Sequence, residues 1–385
     1  MIYLDNAATS WPKPACVHES MLRFMREIGA NPGRSGHRLA NQAEGVRFDA
    51  RETVARLFGV RDPMRVIFSH NATSALNLVM QGLLTPGSHV VTSGIEHNAV
   101  MRPLRALQRR GVAVSVLPCS SSGETDPADL APLIRPETRL IVTTHSSNVC
   151  GTLTPIREIG AAARERGVPF LVDAAQTAGC VPIDLETDNI DLLAFSGHKE
   201  LLGPTGMGGL ALRDDFDFAA LPARTFGGTG SRSEHEEQPD FLPDKYESGT
   251  PNIAGLAGLF AGVRYIMERG VAAIQAHERA LTRRLIAGLS EIPGSRIQGT
   301  RHAEKQTAVV SFFIEGASVS ETSRQLDERF EIMARPGLHC APAAHHALGT
   351  FPEGTIRFSP GLFTTDEEID RAVDAVARIA GEVGA

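Results

Sequence analysis

Val168-Pro169-Phe170-Leu171-Val172-Asp173-Ala174-Ala175-Gln176 is followed, further along, by Leu192-Leu193-Ala194-Phe195-Ser196-Gly197-His198-Lys199. Each segment is a short apolar run that breaks into small and polar residues. A strand buried on both faces of a parallel sheet reads this way, with its carboxyl end opening onto a loop. The two runs therefore place an acid, Asp173, and an amine, Lys199, at the ends of two strands where α/β sheets take their ligands.

Working outward, the same kind of run recurs at Arg65–Phe68, His89–Thr92, Val112–Leu117, Leu140–Thr144 and Gly209–Leu212. Helical patterns such as Pro155–Arg164 separate most of them, so a mostly parallel seven-stranded sheet covered on both faces is expected. The Gly209–Leu212 run follows Lys199 too closely for a helical crossover, which predicts an antiparallel strand. Residues 218–252 read as a long Gly-, Pro- and charge-rich loop. Long helical patterns follow over 253–268 and 271–289. After them come strands near 307–314 and 355–359, a helix near 318–329 and a last helix from Asp366. This predicts an α/β protein with an N-terminal segment (1–20), a large domain (21–255) and a smaller α+β domain (256–385).

The chain has 385 residues, 42% hydrophobic and 22% charged, a globular balance with material for a sizeable core. Its formal charge of −7 argues against nucleic acid or an anionic membrane as partner. No apolar segment approaches a membrane span, and the start has no secretory pattern. Cys16, Cys119, Cys150, Cys180 and Cys340 are widely spaced and form no C-x-x-C pair. A reducing, cytoplasmic setting without structural metal is expected.

An acid and a lysine so placed suit pyridoxal 5'-phosphate. The lysine amine condenses with its aldehyde, and the carboxylate keeps its pyridine nitrogen protonated. Standing alone, Lys199 would be an ordinary loop lysine and Asp173 a turn or cap residue; their shared context favours the site. Phe68-Ser69-His70-Asn71-Ala72-Thr73-Ser74 leads into a helical pattern, and a helix start there offers N–H groups and the Thr73 hydroxyl to a phosphate. His97 follows a strand and can stack on the ring; a surface histidine is the plain alternative. Gln176 can donate to the ring's phenolic oxygen. Arg357, inside the apolar run Thr355-Ile356-Arg357-Phe358, suits a substrate carboxylate or a buried structural ion pair.

Cys340 lies in Arg335-Pro336-Gly337-Leu338-His339-Cys340-Ala341-Pro342, ahead of Ala343-Ala344-His345-His346. A following helix start and a neighbouring imidazolium would both favour its thiolate. A buried, inert thiol is the ordinary alternative. A metal held by Cys340 with His339, His345 and His346 lacks a familiar spacing.

Together these segments resemble the aminotransferase class V branch of fold type I pyridoxal phosphate enzymes, and within it the cysteine desulfurases. The resemblance runs from Tyr3-Leu4-Asp5-Asn6-Ala7-Ala8-Thr9 through Glu96-His97-Asn98, Ser147-Asn148-Val149-Cys150-Gly151-Thr152 and Val172–Gln176. It continues through Ser196–Lys199 and Glu247-Ser248-Gly249-Thr250-Pro251-Asn252 to the Cys340 loop. That loop is similar to the second desulfurase group, which includes selenocysteine lyases. The resemblance implies conversion of L-cysteine to L-alanine, with sulfur carried as a persulfide on Cys340 to an acceptor protein for iron–sulfur cluster or other thio-cofactor assembly. It implies Ala72, Thr73, Ser196 and His198 at the phosphate, and Thr250 at the phosphate of the partner in a homodimer. Asn148 and Arg357 would hold the substrate, and His37, in Arg34-Ser35-Gly36-His37-Arg38, would line its entrance. A selenocysteine lyase, a cysteine-sulfinate desulfinase, or an aminotransferase that leaves Cys340 idle would share most of this site. Pro336, Leu338 and the residues after Ala341 depart from the better-known group members, which bears on the acceptor and the preferred substrate.

Overall fold

The computed structural model describes residues 1–33 and 36–383. Its main sheet has seven strands, in spatial order Val66–Ser69, Gly208–Leu212, Leu192–Ser196, Phe170–Asp173, Thr138–Thr144, His89–Ser93 and Ala113–Leu117. The five strands from Leu192–Ser196 outward pair in parallel. Gly208–Leu212 runs antiparallel to both of its neighbours, as the short link after Lys199 requires. Gly208 is needed where this strand passes the start of the helix Ala72–Leu83, since a Cβ there would lie 2.6 Å from Asn71 Cα.

Alternate side chains of each strand enter opposite cores. Val91, Ile141, Val172 and Leu193 pack on one face with Leu256 and Leu259. Val90, Leu140, Leu171 and Leu192 pack on the other with Leu76 and Leu104. Both faces are therefore dry, which is why these strands read as continuous apolar runs instead of alternating ones. Two helices are not announced by the apolar pattern: Arg38–Leu57, which completes the first face, and Ala15–Arg23, which packs on the helix Ile253–Arg269. The first of them buries Ala40, Ala43 and Ala50 together with Arg51, so its inward stripe is small and partly charged and leaves little hydrophobic periodicity.

A second, antiparallel sheet orders Arg335–Gly337, Thr355–Phe358, Val310–Ile314 and Ser295–Gln298. Its core contains Leu285, Phe312, Leu326, Ile356, Phe358 and Val376, joined by Ile2 and Leu4 from the amino-terminal segment. Ile2–Tyr3 pairs in parallel with Ile332–Met333 as a separate two-stranded sheet, and Asp5 bridges to Ser359 just past Thr355–Phe358, so that segment is held beside the smaller sheet. The region 218–252 is irregular apart from one short turn of helix at Phe218–Ala220. Among the described residues, no helix is long and apolar enough to cross a membrane.

Candidate active site

Asp173 and Lys199 reach one place because their strands are neighbours: Asp173 closes Phe170–Asp173 and pairs in register with Ala194 of Leu192–Ser196. The chain then turns tightly. Gly197 N–H donates to Met207 O (2.8 Å), Gly203 N–H to Gly197 O (2.7 Å) and Leu202 N–H to Lys199 O (2.9 Å). Lys199 keeps some exposure while its amine is enclosed by protein; burial lowers its pKa to about 8, against the opposing pull of Asp173. Burial pushes Asp173 up, and the Ala175 N–H (3.0 Å to Oδ1) and the Lys199 charge draw it back.

Around this pair the fold offers an anion seat. Asn71 caps the helix Ala72–Leu83 by accepting from Ser74 N–H (3.0 Å), and the N–H groups of Ala72 and Thr73 lie at a helix end where no intrahelical carbonyl serves them. His198 carries a buried Nδ1 without a partner, and burial holds its pKa down at about 4. His97 caps the helix Asn98–Gln108, its Nδ1 accepting from Ala99 N–H (3.0 Å). Burial and the charges of Lys199, Arg335, Arg102 and Arg357 lower it to about 4, so the ring is neutral and flat. Gln176 is buried and donates to Ala7 O (3.0 Å), and Ser196 is buried at its strand end. A buried acid, an enclosed amine, a helix start and an orphaned imidazole nitrogen fit a phosphorylated pyridine aldehyde.

Arg357 comes from a strand of the smaller sheet, and Cys340 from the segment joining two of its strands. Arg357 is 1% exposed, donating from Nη1 to Asn148 O (3.0 Å) and from Nη2 to Asp5 Oδ1 (2.6 Å), while its Nε has no partner. The buried ion pair is thus present, and a donor remains. Asn148 Nδ2 donates to His339 O (2.7 Å), and Asn98 N–H donates to Cys340 O (2.9 Å). The Cys340 loop is therefore fastened to the segments that carry Asn148 and His97. Cys340 itself is exposed, beside a cleft of about 440 Å³ that it shares with Thr73, His97 and Arg102.

The imidazolium expected beside Cys340 is not there. His339 is buried among Arg357 and Arg335, and its pKa falls to about 3, leaving it neutral. The cation at the thiol is Arg335, whose Nη2 stands 3.5 Å from Cys340 Sγ. Arg335 and Asp5 both lie within the motif segments quoted above, but nothing local marks either as a contact. The helix predicted after Cys340 is Pro342–Leu348.

Thr250 is exposed, in a loop bordering a second cleft of about 520 Å³ with Ser69, Ser74 and Asn252. His37 is exposed and caps the helix Arg38–Leu57 through Ala40 N–H (3.2 Å). Arg34 and Ser35 of its motif lie outside the described residues. Glu96, absent from the residues singled out by sequence, is fully buried between Ser93 Oγ (2.5 Å) and Thr144 N–H (2.8 Å); burial pushes it up to about 8. Among the described residues, the one set of three clustered metal-type ligands is Cys180, Glu200 and Glu278, which includes none of Cys340, His339, His345 and His346. Burial pushes all three up, which favours protonated groups there.

Residues 2–372 match the aminotransferase class-V family. The chain is 35% identical to a probable cysteine desulfurase of Methanothermobacter thermautotrophicus, over 99% of this chain and 95% of the relative. It is 34% identical to a cysteine desulfurase of Dickeya dadantii, over 98% and 92% of the two chains. Among solved structures it is similar to the cysteine desulfurase of Thermococcus onnurineus (TM-score 0.93, 32% identity, covering 99% and 95%). The Escherichia coli cysteine desulfurase CsdA also matches (TM-score 0.87, 30% identity, covering 99% and 94%).

Proposed function

The chain belongs to the aminotransferase class-V family, and from that premise we propose that it is a pyridoxal phosphate-dependent cysteine desulfurase. The observation that carries this reading is the Cys340 loop, fastened to Asn98 and Asn148 in the segments that follow His89–Ser93 and Thr138–Thr144, at the same carboxyl edge of the sheet as Asp173 and Lys199. When bound, pyridoxal phosphate supplies an aldehyde for amines and a protonated ring that accepts the electron pair of the substrate Cα.

Ala72 and Thr73 N–H groups, with Ser196 and His198, would hold the phosphate, and His97 would lie against the ring. Gln176 would donate to the ring oxygen and Asp173 would keep the ring nitrogen charged. Arg357 and Asn148 orient the cysteine carboxylate. Lys199, with its lowered pKa, takes the Cα proton as a neutral amine. The Cys340 thiolate, next to the Arg335 guanidinium, attacks the substrate sulfur. A sulfur–sulfur bond forms and the carbon–sulfur bond breaks; its electron pair stays on carbon, which takes a proton to give alanine. Cys340 keeps the persulfide, so no external oxidant is needed. Its exposure suits delivery to a sulfur acceptor and favours this reading over an aminotransferase with an idle cysteine. Thr250, exposed on its loop, would complete the phosphate site of a second copy in a homodimer. Five unpaired cysteines fit a reducing, cytoplasmic setting.

The test is release of alanine and sulfide from L-cysteine by the native protein and by Cys340→Ser. Activity in the first and none in the second supports the proposal. Equal activity in both removes Cys340 from the mechanism. Turnover of selenocysteine, cysteine sulfinate or a keto acid instead of cysteine overturns the substrate.

A further inference from the structure

His339 and Cys340 both adopt left-handed backbone, with φ of 48° and 58°. Residues other than glycine keep such angles only where their surroundings hold them. The surroundings here are a hydrogen-bonded chain reaching beyond the loop. His339 Nε2 lies 3.0 Å from Arg335 O, His339 Nδ1 lies 3.4 Å from His345 Nε2, and His345 Nδ1 lies 2.7 Å from Thr350 Oγ1. His339, His345 and Thr350 are 3%, 0% and 8% exposed.

One carbonyl sets the direction of every proton in this chain. Arg335 O can only accept, so His339 Nε2 carries hydrogen. Burial keeps His339 neutral, so its Nδ1 is a bare acceptor. His345 Nε2 must then donate to it. His345 is neutral too, so its Nδ1 accepts from the Thr350 hydroxyl. Each polar atom in the chain has its partner, and neither imidazole has a proton to spare for Cys340.

We propose that His345 is a positioning residue for Cys340, holding the left-handed His339-Cys340 turn through its Nε2–H donated to His339. The proposal rests on the desulfurase reading for its catalytic consequence. Its structural part stands independently, as a claim about what orders the thiol.

The holoenzyme is compared with His345→Leu, which removes the donor, and with His345→Gln, whose side-chain amide restores one near the Nε2 position. Three quantities are followed: single-turnover alanine formation from cysteine, exchange of the alanine Cα hydrogen in deuterated water, and alkylation of Cys340 by iodoacetamide. Alanine exchange uses Lys199, Asp173 and Arg357 but not Cys340. The expected result for His345→Leu is a loss of about tenfold or more in cysteine turnover with alanine exchange within about twofold of native, the scale of one buried unpaired nitrogen. The alkylation rate of Cys340 changes with it, and His345→Gln returns both towards native. The proposal is overturned if His345→Leu alkylates and turns over like the native protein, if exchange falls in parallel, or if His345→Gln matches His345→Leu. A native protein that exchanges no alanine counts against the desulfurase reading, and alkylation of the three proteins then decides the role of His345.

Discussion

Arg357 and Asp5 meet across 352 positions of chain, Nη2 to Oδ1 at 2.6 Å, and this contact ties the amino-terminal segment to the strand Thr355–Phe358. Arg357 serves the Asn148 carbonyl as well, so its planar fork does several tasks that a single ammonium cannot. Arg357→Lys should raise the KM for cysteine by about ten- to a hundredfold, the scale of a charged hydrogen bond lost in a buried site. Steady-state kinetics check this, and an unchanged KM would remove Arg357 from substrate binding.

Asp173 accepts the Ala175 N–H and otherwise faces Lys199 in a dry environment. Replacing it with Asn keeps the shape and removes the charge that would sustain a protonated ring nitrogen. Turnover should fall by about a hundredfold or more, the size expected for a preorganised electrostatic contact, with cofactor absorbance still present. A rate within a few-fold of native contradicts the role.

The Lys199 amine is uncharged above about pH 8, well below the ordinary lysine value, because burial disfavours the ammonium. Only the uncharged amine attacks an aldehyde. Uptake of pyridoxal phosphate by stripped protein, followed by absorbance, should accelerate as pH rises and reach half its maximum near pH 8. A midpoint at the ordinary lysine value would show that the amine is not enclosed.

Glu96 has the opposite sign. Its folded pKa of about 8 lies above that of the unfolded chain, so the folded protein holds a proton that the unfolded chain loses at lower pH. Its stabilising contribution is full below the unfolded value and is lost as pH rises through about 8. Glu96→Gln, which has no proton to lose, should flatten the fall in melting temperature between pH 5 and pH 8. The same slope in both proteins would place the titration elsewhere.

Arg51, 2% exposed, holds both oxygens of Glu247 at 2.8 Å and also donates to Val66 O, while Phe68 N–H adds a 2.7 Å bond to Glu247. This ties the loop carrying Thr250 to the edge strand of the main sheet. Arg51→Met leaves a carboxylate buried without its partner and should cost about 3–5 kcal/mol, read from the denaturant midpoint. A loss under about 1 kcal/mol would mean that water replaces the pair.

The parallel sheet and the Asp173–Lys199 pair were legible because they are local signals: an apolar run, then a polar break, repeated. The antiparallel Gly208–Leu212 strand followed from the length of one link. Helix Arg38–Leu57 was not legible, because its buried face is mostly alanine with Arg51, Thr53 and a single valine, and the short strand Ser295–Gln298 has no fully buried residue to mark it. The charge beside Cys340 is not legible in the sequence for a related reason. The charge of a histidine depends on burial and on distant arginines, and neither is written beside it.

By itself, then, the sequence determined the layered α/β fold, the residue types of the site and their order along the chain, since these depend on periodicity and on chemistry carried within a few residues. The tertiary structure alone decided which groups carry charge and which atoms meet. It brought Asp5 to Arg357, Arg335 to Cys340 and His345 to His339, and it made His97 and His339 neutral. Solvation and long-range Coulomb interactions depend on what surrounds a group in space, and only the folded chain creates those surroundings.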